Sequence, residues 1–172
     1  MTNSNPGNNA SGMQRALEAL ANIVIHVAVI ALLGLVVVQG WQVFSRYVIN
    51  DSPSWTEPVT VLLLSTAMSM GAAAGVHTNR HFGFFLLAEH FGPFAKRVVD
   101  AVVQLVVAAI GAVIAWWGWL LWVDGLHIKI AGAPLPQSIN YLPLSIGGAL
   151  MVLFALQRMW LALQPAVAEG ER

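Results

Sequence analysis

Cysteine is missing altogether from this 172-residue chain. Its absence removes disulfides, thiol nucleophiles, iron–sulfur ligation and covalent haem attachment together, and it leaves the redox compartment open. Charge is nearly as scarce. Asp, Glu, Lys and Arg supply 9% of the residues, where an ordinary soluble domain carries roughly 25%, so a water-facing surface cannot be covered. The eight basic and eight acidic residues cancel, and no basic patch marks a nucleic-acid partner. Enzymatic chemistry has no foothold either. The carboxylates stand singly at the edges of apolar runs, with no nucleophile–base pairing and no metal-ligand spacing. Neither a catalytic residue, a bound metal nor a cofactor is expected.

What fills the chain instead is hydrophobic sequence, 58% of it. A bilayer core takes about 20 apolar residues in helical form. Four stretches free of Asp, Glu, Lys and Arg meet that length: between Glu18 and Arg46, between Glu57 and Arg80, between Asp100 and Asp124, and from about Ile139 to Leu156. Turn formers separate them, notably Asn50, Asp51, Ser52 and Pro53, then Gly132, Pro134 and Pro136. The expected fold is an all-α membrane protein with four transmembrane helices at about 20–45, 56–77, 98–123 and 139–162, within a domain of residues 15–163. The polar N-terminus, residues 1–14, is expected to be disordered, and 164–172 form a tail. The run after Arg15 is too long for a signal-peptide core of about 7–15 residues and reads as a retained helix.

Between the second and third spans, residues 82–94 read FGFFLLAEHFGPF. The segment is too short to cross, and Gly92–Pro93 breaks it. A short amphipathic helix over about 82–91 is expected to lie in the interface, with Phe84 and Phe85 in the acyl boundary and Glu89 and His90 toward water. The alternative is a simple extension of the third span. The distribution of Lys and Arg then sets orientation. With the N-terminus inside, Arg15, Arg80, Lys96, Arg97, Arg158 and Arg172 are cytoplasmic, and only Arg46 and Lys129 lie outside. Trp41, Trp55, Trp116, Trp117, Trp119 and Trp122 would gather toward the outer leaflet and Trp160 at the inner interface. Trp55, Trp119, Trp122, Arg80, His81, Phe84, Phe85, Lys96 and Arg97 are the expected anchors to membrane lipids.

Candidate contact residues are polar or small. Gln39, Gln42 and Arg46 share one helical face, and polar groups in lipid must find partners. Glu57, across a short loop, could pair with Arg46 and fix the hairpin, or this face could meet another subunit. Gly71 and Gly75 form a GxxxG pattern, the spacing that lets membrane helices approach closely. His26, His77 and His81 allow a bis-histidine b-type haem, or a quinone-linked anchor, as an alternative. No acidic residue falls at mid-span and no broken helix or repeat is visible, so an autonomous small transporter is a weaker alternative.

Three local patterns carry a family resemblance. Val43-Phe44-Ser45-Arg46-Tyr47-Val48 followed by Ser54-Trp55-Thr56-Glu57, then Gly71-Ala72-Ala73 followed by Arg80-His81, and finally Pro136-Gln137-Ser138-Ile139-Asn140-Tyr141-Leu142-Pro143-Leu144-Ser145-Ile146-Gly147 occur in order. The chain resembles the small membrane subunit, the DctQ-like component, of tripartite ATP-independent periplasmic (TRAP) transporters. It departs from the family pattern at Pro58, where a second acid is common, and after His81, where Phe82-Gly83-Phe84-Phe85 replaces an acidic position. The resemblance implies a non-catalytic subunit in a bacterial inner membrane. Its partners would be a large membrane subunit that carries organic acids with sodium, and a periplasmic substrate-binding protein. It would scaffold the large subunit, and its outer loops around Arg46–Glu57 and Gly125–Tyr141 would help dock the binding protein.

Overall fold

A computed structural model describes residues 6–51, 53–78, 93–132 and 135–163. Within them lie four long helices: α1 (Pro6–Phe44), α2 (Thr56–Thr78), α3 (Pro93–Asp124) and α4 (Leu142–Leu163). Segments within all four are long and apolar enough to cross a membrane, over Gly12–Ile49, Thr56–Thr78, Arg97–His127 and Gln137–Ala162. The expected all-α class with four such helices is what the fold shows. The expected interfacial helix at 82–91 lies outside the described residues.

One expectation needs correction. Residues 6–14, read as part of a disordered N-terminus, belong to α1. The helix begins at Pro6, and a proline costs nothing in a first turn because its missing N–H has no intrahelical acceptor there. At 39 residues, α1 is roughly 58 Å long and outruns a hydrocarbon core of about 30 Å.

The helix pairings set the architecture. α1 packs on α2, α2 on α4, and α4 on α3, so the helices stand in the row α1–α2–α4–α3. The two hairpins are joined through α2 and α4. The buried apolar core gathers where three helices meet, from Ala21 and Val24 of α1, Met70, Ala73, Ala74 and Val76 of α2, and Phe154 and Ala155 of α4, with Ala108 of α3 beside them. Leu, Ile, Val and Trp side chains elsewhere point outward, as a lipid environment permits.

α4 can occupy the middle of the row because it carries two adjacent glycines on two sides. A Cβ on Gly147 would lie 2.6 Å from Ser69 Cβ of α2. On Gly148 it would lie 2.6 Å from the Ala115 nitrogen and 2.8 Å from the Gly111 oxygen, both on α3. The α3 side of this seam repeats every seven residues. Gly111 meets Gly148 and Met151, Gly118 meets Ser145, and Gly125 meets Ser138. A seven-residue period keeps a small-residue stripe facing a neighbour at a shallow crossing angle. The Ser145 hydroxyl donates to the Ala115 carbonyl across the same seam (3.3 Å).

Three hydroxyls inside α2 are satisfied locally, Ser65 donates across to Asn140 O (3.1 Å), and the buried Thr60 hydroxyl has no partner among the described residues. Thr66 donates to Leu62 O (2.7 Å), Ser69 to Ser65 O (2.7 Å) and Thr78 to Ala74 O (3.1 Å), which pairs these three donors within their own helix. The loop between α3 and α4 forms a small arm. A 3₁₀ turn at Gly125–His127 leads to an antiparallel bridge between Lys129 and Pro136, then to a second 3₁₀ turn at Gln137–Asn140. At the arm, Gly132 has φ +88°, and any Cβ there would collide with the Ser54 backbone. The Ser54 hydroxyl donates to the Gly132 carbonyl (3.2 Å), fastening the arm to the α1–α2 loop.

Gly148→Ala is expected to destabilise the fold by about 1–3 kcal/mol through overpacking, whereas Gly71→Ala, with open space around its new methyl, leaves stability unchanged. Denaturant unfolding of the detergent-solubilised variants, followed by helical circular dichroism, distinguishes the two.

Candidate contact face

The polar face of α1 ends in an irregular turn. After Phe44 the helix widens into a π-helical turn, Ser45–Ile49, and stops at Asn50, which adopts a left-handed conformation (φ 62°). Asparagine tolerates that region better than most residues. The Ser45 carbonyl accepts from both the Asn50 and the Asp51 N–H groups, the latter at 3.1 Å. π turns insert one extra residue and are often kept where a helix must present a particular surface.

This geometry places the predicted residues as follows. Gln39 and Arg46 are exposed and Gln42 is half-buried. Glu57, the second residue of α2, is exposed. Arg46 and Glu57 form no ion pair with each other among the described residues, so the hairpin is not held by that pair. Other contacts hold it. Thr56 is fully buried, its hydroxyl donates to Pro53 O (2.8 Å), and α1 and α2 pack along their length.

On α2, the internal packing face is Ser69, Met70, Ala73, Ala74 and Val76. Gly71 points away from it, with nothing within 4 Å of a Cβ built there, and Gly75 is half-buried. The GxxxG pair therefore does not make the closest helix approach within the chain. That role falls to Gly147, Gly148 and the Gly111–Gly118–Gly125 series. The signal for it was present as a seven-residue glycine period, which a search for GxxxG alone overlooks.

At the end of the row near the termini, Arg158 of α4 donates from Nη2 to the His77 carbonyl, satisfying one of the orphan carbonyls that end α2. The His77 ring lies against Phe154, with centroids 5.0 Å apart. The His26 ring nitrogen meets the Asn22 carbonyl at 2.6 Å, within its own helix. Three amides that a scan for charge passes over, Gln104, Asn140 and Gln157, bury their side-chain oxygens without a partner among the described residues. Of the expected anchors, Trp55 and Trp119 are about half exposed, and Trp119 and Trp122 stack at 4.9 Å. Arg97 is exposed near the start of α3, and Lys96 lies in the helix beside it. Arg80, His81, Phe84 and Phe85 lie outside the described residues.

A groove of ≈540 Å³ follows the end of α1 remote from the termini, lined by Val37, Val38, Trp41, Ser45, Ile49, Asp51, Pro53 and Trp55.

Comparison with known proteins bears directly on this arrangement. The family model for the DctQ component of tripartite ATP-independent periplasmic transporters matches residues 35–164. A Haemophilus influenzae protein named as a TRAP transporter small permease protein is 22% identical over 148 residues, covering 86% of this chain and 92% of that protein.

Arg158→Met is expected to cost about 1.5–3 kcal/mol, the range for a hydrogen bond to a charged group, with Arg158→Lys recovering part of it. Unfolding midpoints of the two variants in one detergent provide the check.

Proposed function

The chain belongs to the DctQ family and is a small membrane component of a TRAP transporter, and on that premise we propose that it scaffolds the large permease of a sodium-coupled, binding-protein-dependent system for organic acids. One observation carries the scaffold reading. The four helices form an open row whose polar and small residues at Gln39, Arg46, Glu57 and Gly71 are exposed and unused by internal packing. Polar groups and helix notches at membrane depth call for helix partners. A row also suits the task physically. A transport domain that moves through the bilayer needs a static frame, and a broad wall of helices resists displacement better than a narrow bundle.

In this reading the chain contributes no reaction step of its own. Gln39 and Gln42 would hydrogen-bond across to a helix of the large subunit, and Gly71 would admit that helix close to the α2 backbone. The loops bearing Arg46, Glu57 and Lys129 would face the periplasmic binding protein, with both termini in the cytoplasm and the chain in the bacterial inner membrane.

Tagged chain extracted in mild detergent is expected to co-purify with a large multi-spanning permease in fixed stoichiometry, identified by mass spectrometry. Recovery of the chain alone would overturn the proposal. Gly71→Leu combined with Gln39→Leu should reduce the co-purified permease at least several-fold while leaving helical content intact. Orientation is testable on a clean background because the chain lacks cysteine. In intact cells whose outer membrane has been permeabilised, Ala131→Cys should react with a membrane-impermeant maleimide and Ser11→Cys should not.

A further inference from the structure

The arm between α3 and α4 has two unlike sides. Its limbs meet at the antiparallel bridge between Lys129 and Pro136. On either side of that bridge the Ile130 N–H donates to Leu135 O (2.9 Å) and the Gln137 N–H to Ile128 O (2.8 Å). Successive residues of an extended strand point to opposite sides. Lys129 and Pro136 therefore share one side, and Ile128, Ile130, Leu135 and Gln137 share the other. Gln137 is half-buried and already engaged, its Nε2 donating to the Tyr141 hydroxyl (3.2 Å). What remains open on that side is apolar. Ile128 is 52% exposed, Leu135 is 38% exposed and Ile130 is half-buried. The opposite side ends in the exposed ammonium of Lys129.

The attachments of the arm set its level. It leaves α3 just beyond the stacked Trp119–Trp122 pair. At its other end the Gly132 carbonyl accepts from the Ser54 hydroxyl (3.2 Å), and a Cβ on Gly132 would lie 2.4 Å from the Ser54 oxygen. Ser54 directly precedes Trp55, whose ring is about half exposed. Tryptophans of spanning helices collect where acyl chains give way to headgroups. The arm is thus tied to that boundary at both ends and cannot rise away from it into water. It also passes from the end of α3 to the start of α2, two helices that α4 holds apart in the row. Leu121 and Val123 at the end of α3, and Val61 and Leu64 near the start of α2, are exposed apolar residues at these two attachments. The apolar side of the arm continues the surface that these spanning helices turn to lipid.

We propose that the arm is a membrane-surface element: its Ile128–Leu135 side enters the headgroup and upper acyl region of the leaflet remote from the termini, and its Lys129 side faces water. An exposed apolar patch at this depth is covered by lipid at no cost in ordering a partner. The inference does not rest on the scaffold reading, since it uses surface that the chain presents by itself.

The test uses the full chain, which has no cysteine, with bimane attached at Ile128→Cys, Leu135→Cys or Lys129→Cys. All three side chains are exposed, and helical circular dichroism checks that each labelled chain keeps its fold. The proteins are placed in vesicles of phosphatidylethanolamine and phosphatidylglycerol, with or without lipid brominated high in its acyl chains. Brominated lipid is expected to quench the labels at 128 and 135 at least about twofold more than the label at 129, and aqueous iodide to show the reverse order. Equal quenching of the three positions by either agent overturns the proposal. Protection of 128 and 135 from both agents, the mark of cover by a second copy of the chain, overturns it as well.

Discussion

Everything in this fold depends on how closely α4 can approach two helices at once. Membrane helices have no hydrophobic drive to associate, because lipid tails are as apolar as leucine. What remains is backbone proximity and the dispersion contacts it allows. Gly147 and Gly148 supply it in two directions, toward Ser69 of α2 and toward Gly111 and Ala115 of α3. With any larger residue at either place, one of the two neighbours must move away. The row order, the position of the small apolar core and the exposure of the outer helices all follow from that one pair.

The exposed residues take meaning from the same constraint. Because α4 already joins the hairpins, Gly71 and the α1 polar residues are not required for internal cohesion. In the proposed scaffold role, their exposure is what a helix of the large subunit would meet.

Much of the architecture was legible in residue order. Four runs without charge, each bounded by turn residues, are enough to set four helices, since backbone groups in lipid must be satisfied within their own segment. Three family patterns spread across the chain pointed to the same class that the family match supports. The seam was harder to read. GxxxG at Gly71 is the better known spacing, but spacing alone does not say which side of a helix meets a neighbour, and here that side opens outward. Gly111, Gly118 and Gly125 carry the true contact at a longer period. The Arg46–Glu57 pairing was suggested by proximity in sequence, and the two form no ion pair among the described residues; the π turn at Ser45–Ile49 is a separate feature that no periodicity analysis anticipates. A proline at position 6, read as part of a disordered N-terminus, opens a helix.

The row has a consequence for how the chain is assembled in the membrane. Each helix leans chiefly on its immediate neighbours, so the molecule is two leaves joined along a single spine. The leaf of α3 and α4 closes on itself through its glycine seam and its own connecting arm, and the leaf of α1 and α2 closes through its short loop. A chain inserted leaf by leaf could therefore complete each half before the spine between Ser69 and Gly147 forms. The clasp between Ser54 and Gly132 would then act as a latch at the far end of that spine, limiting how widely the two leaves can swing apart.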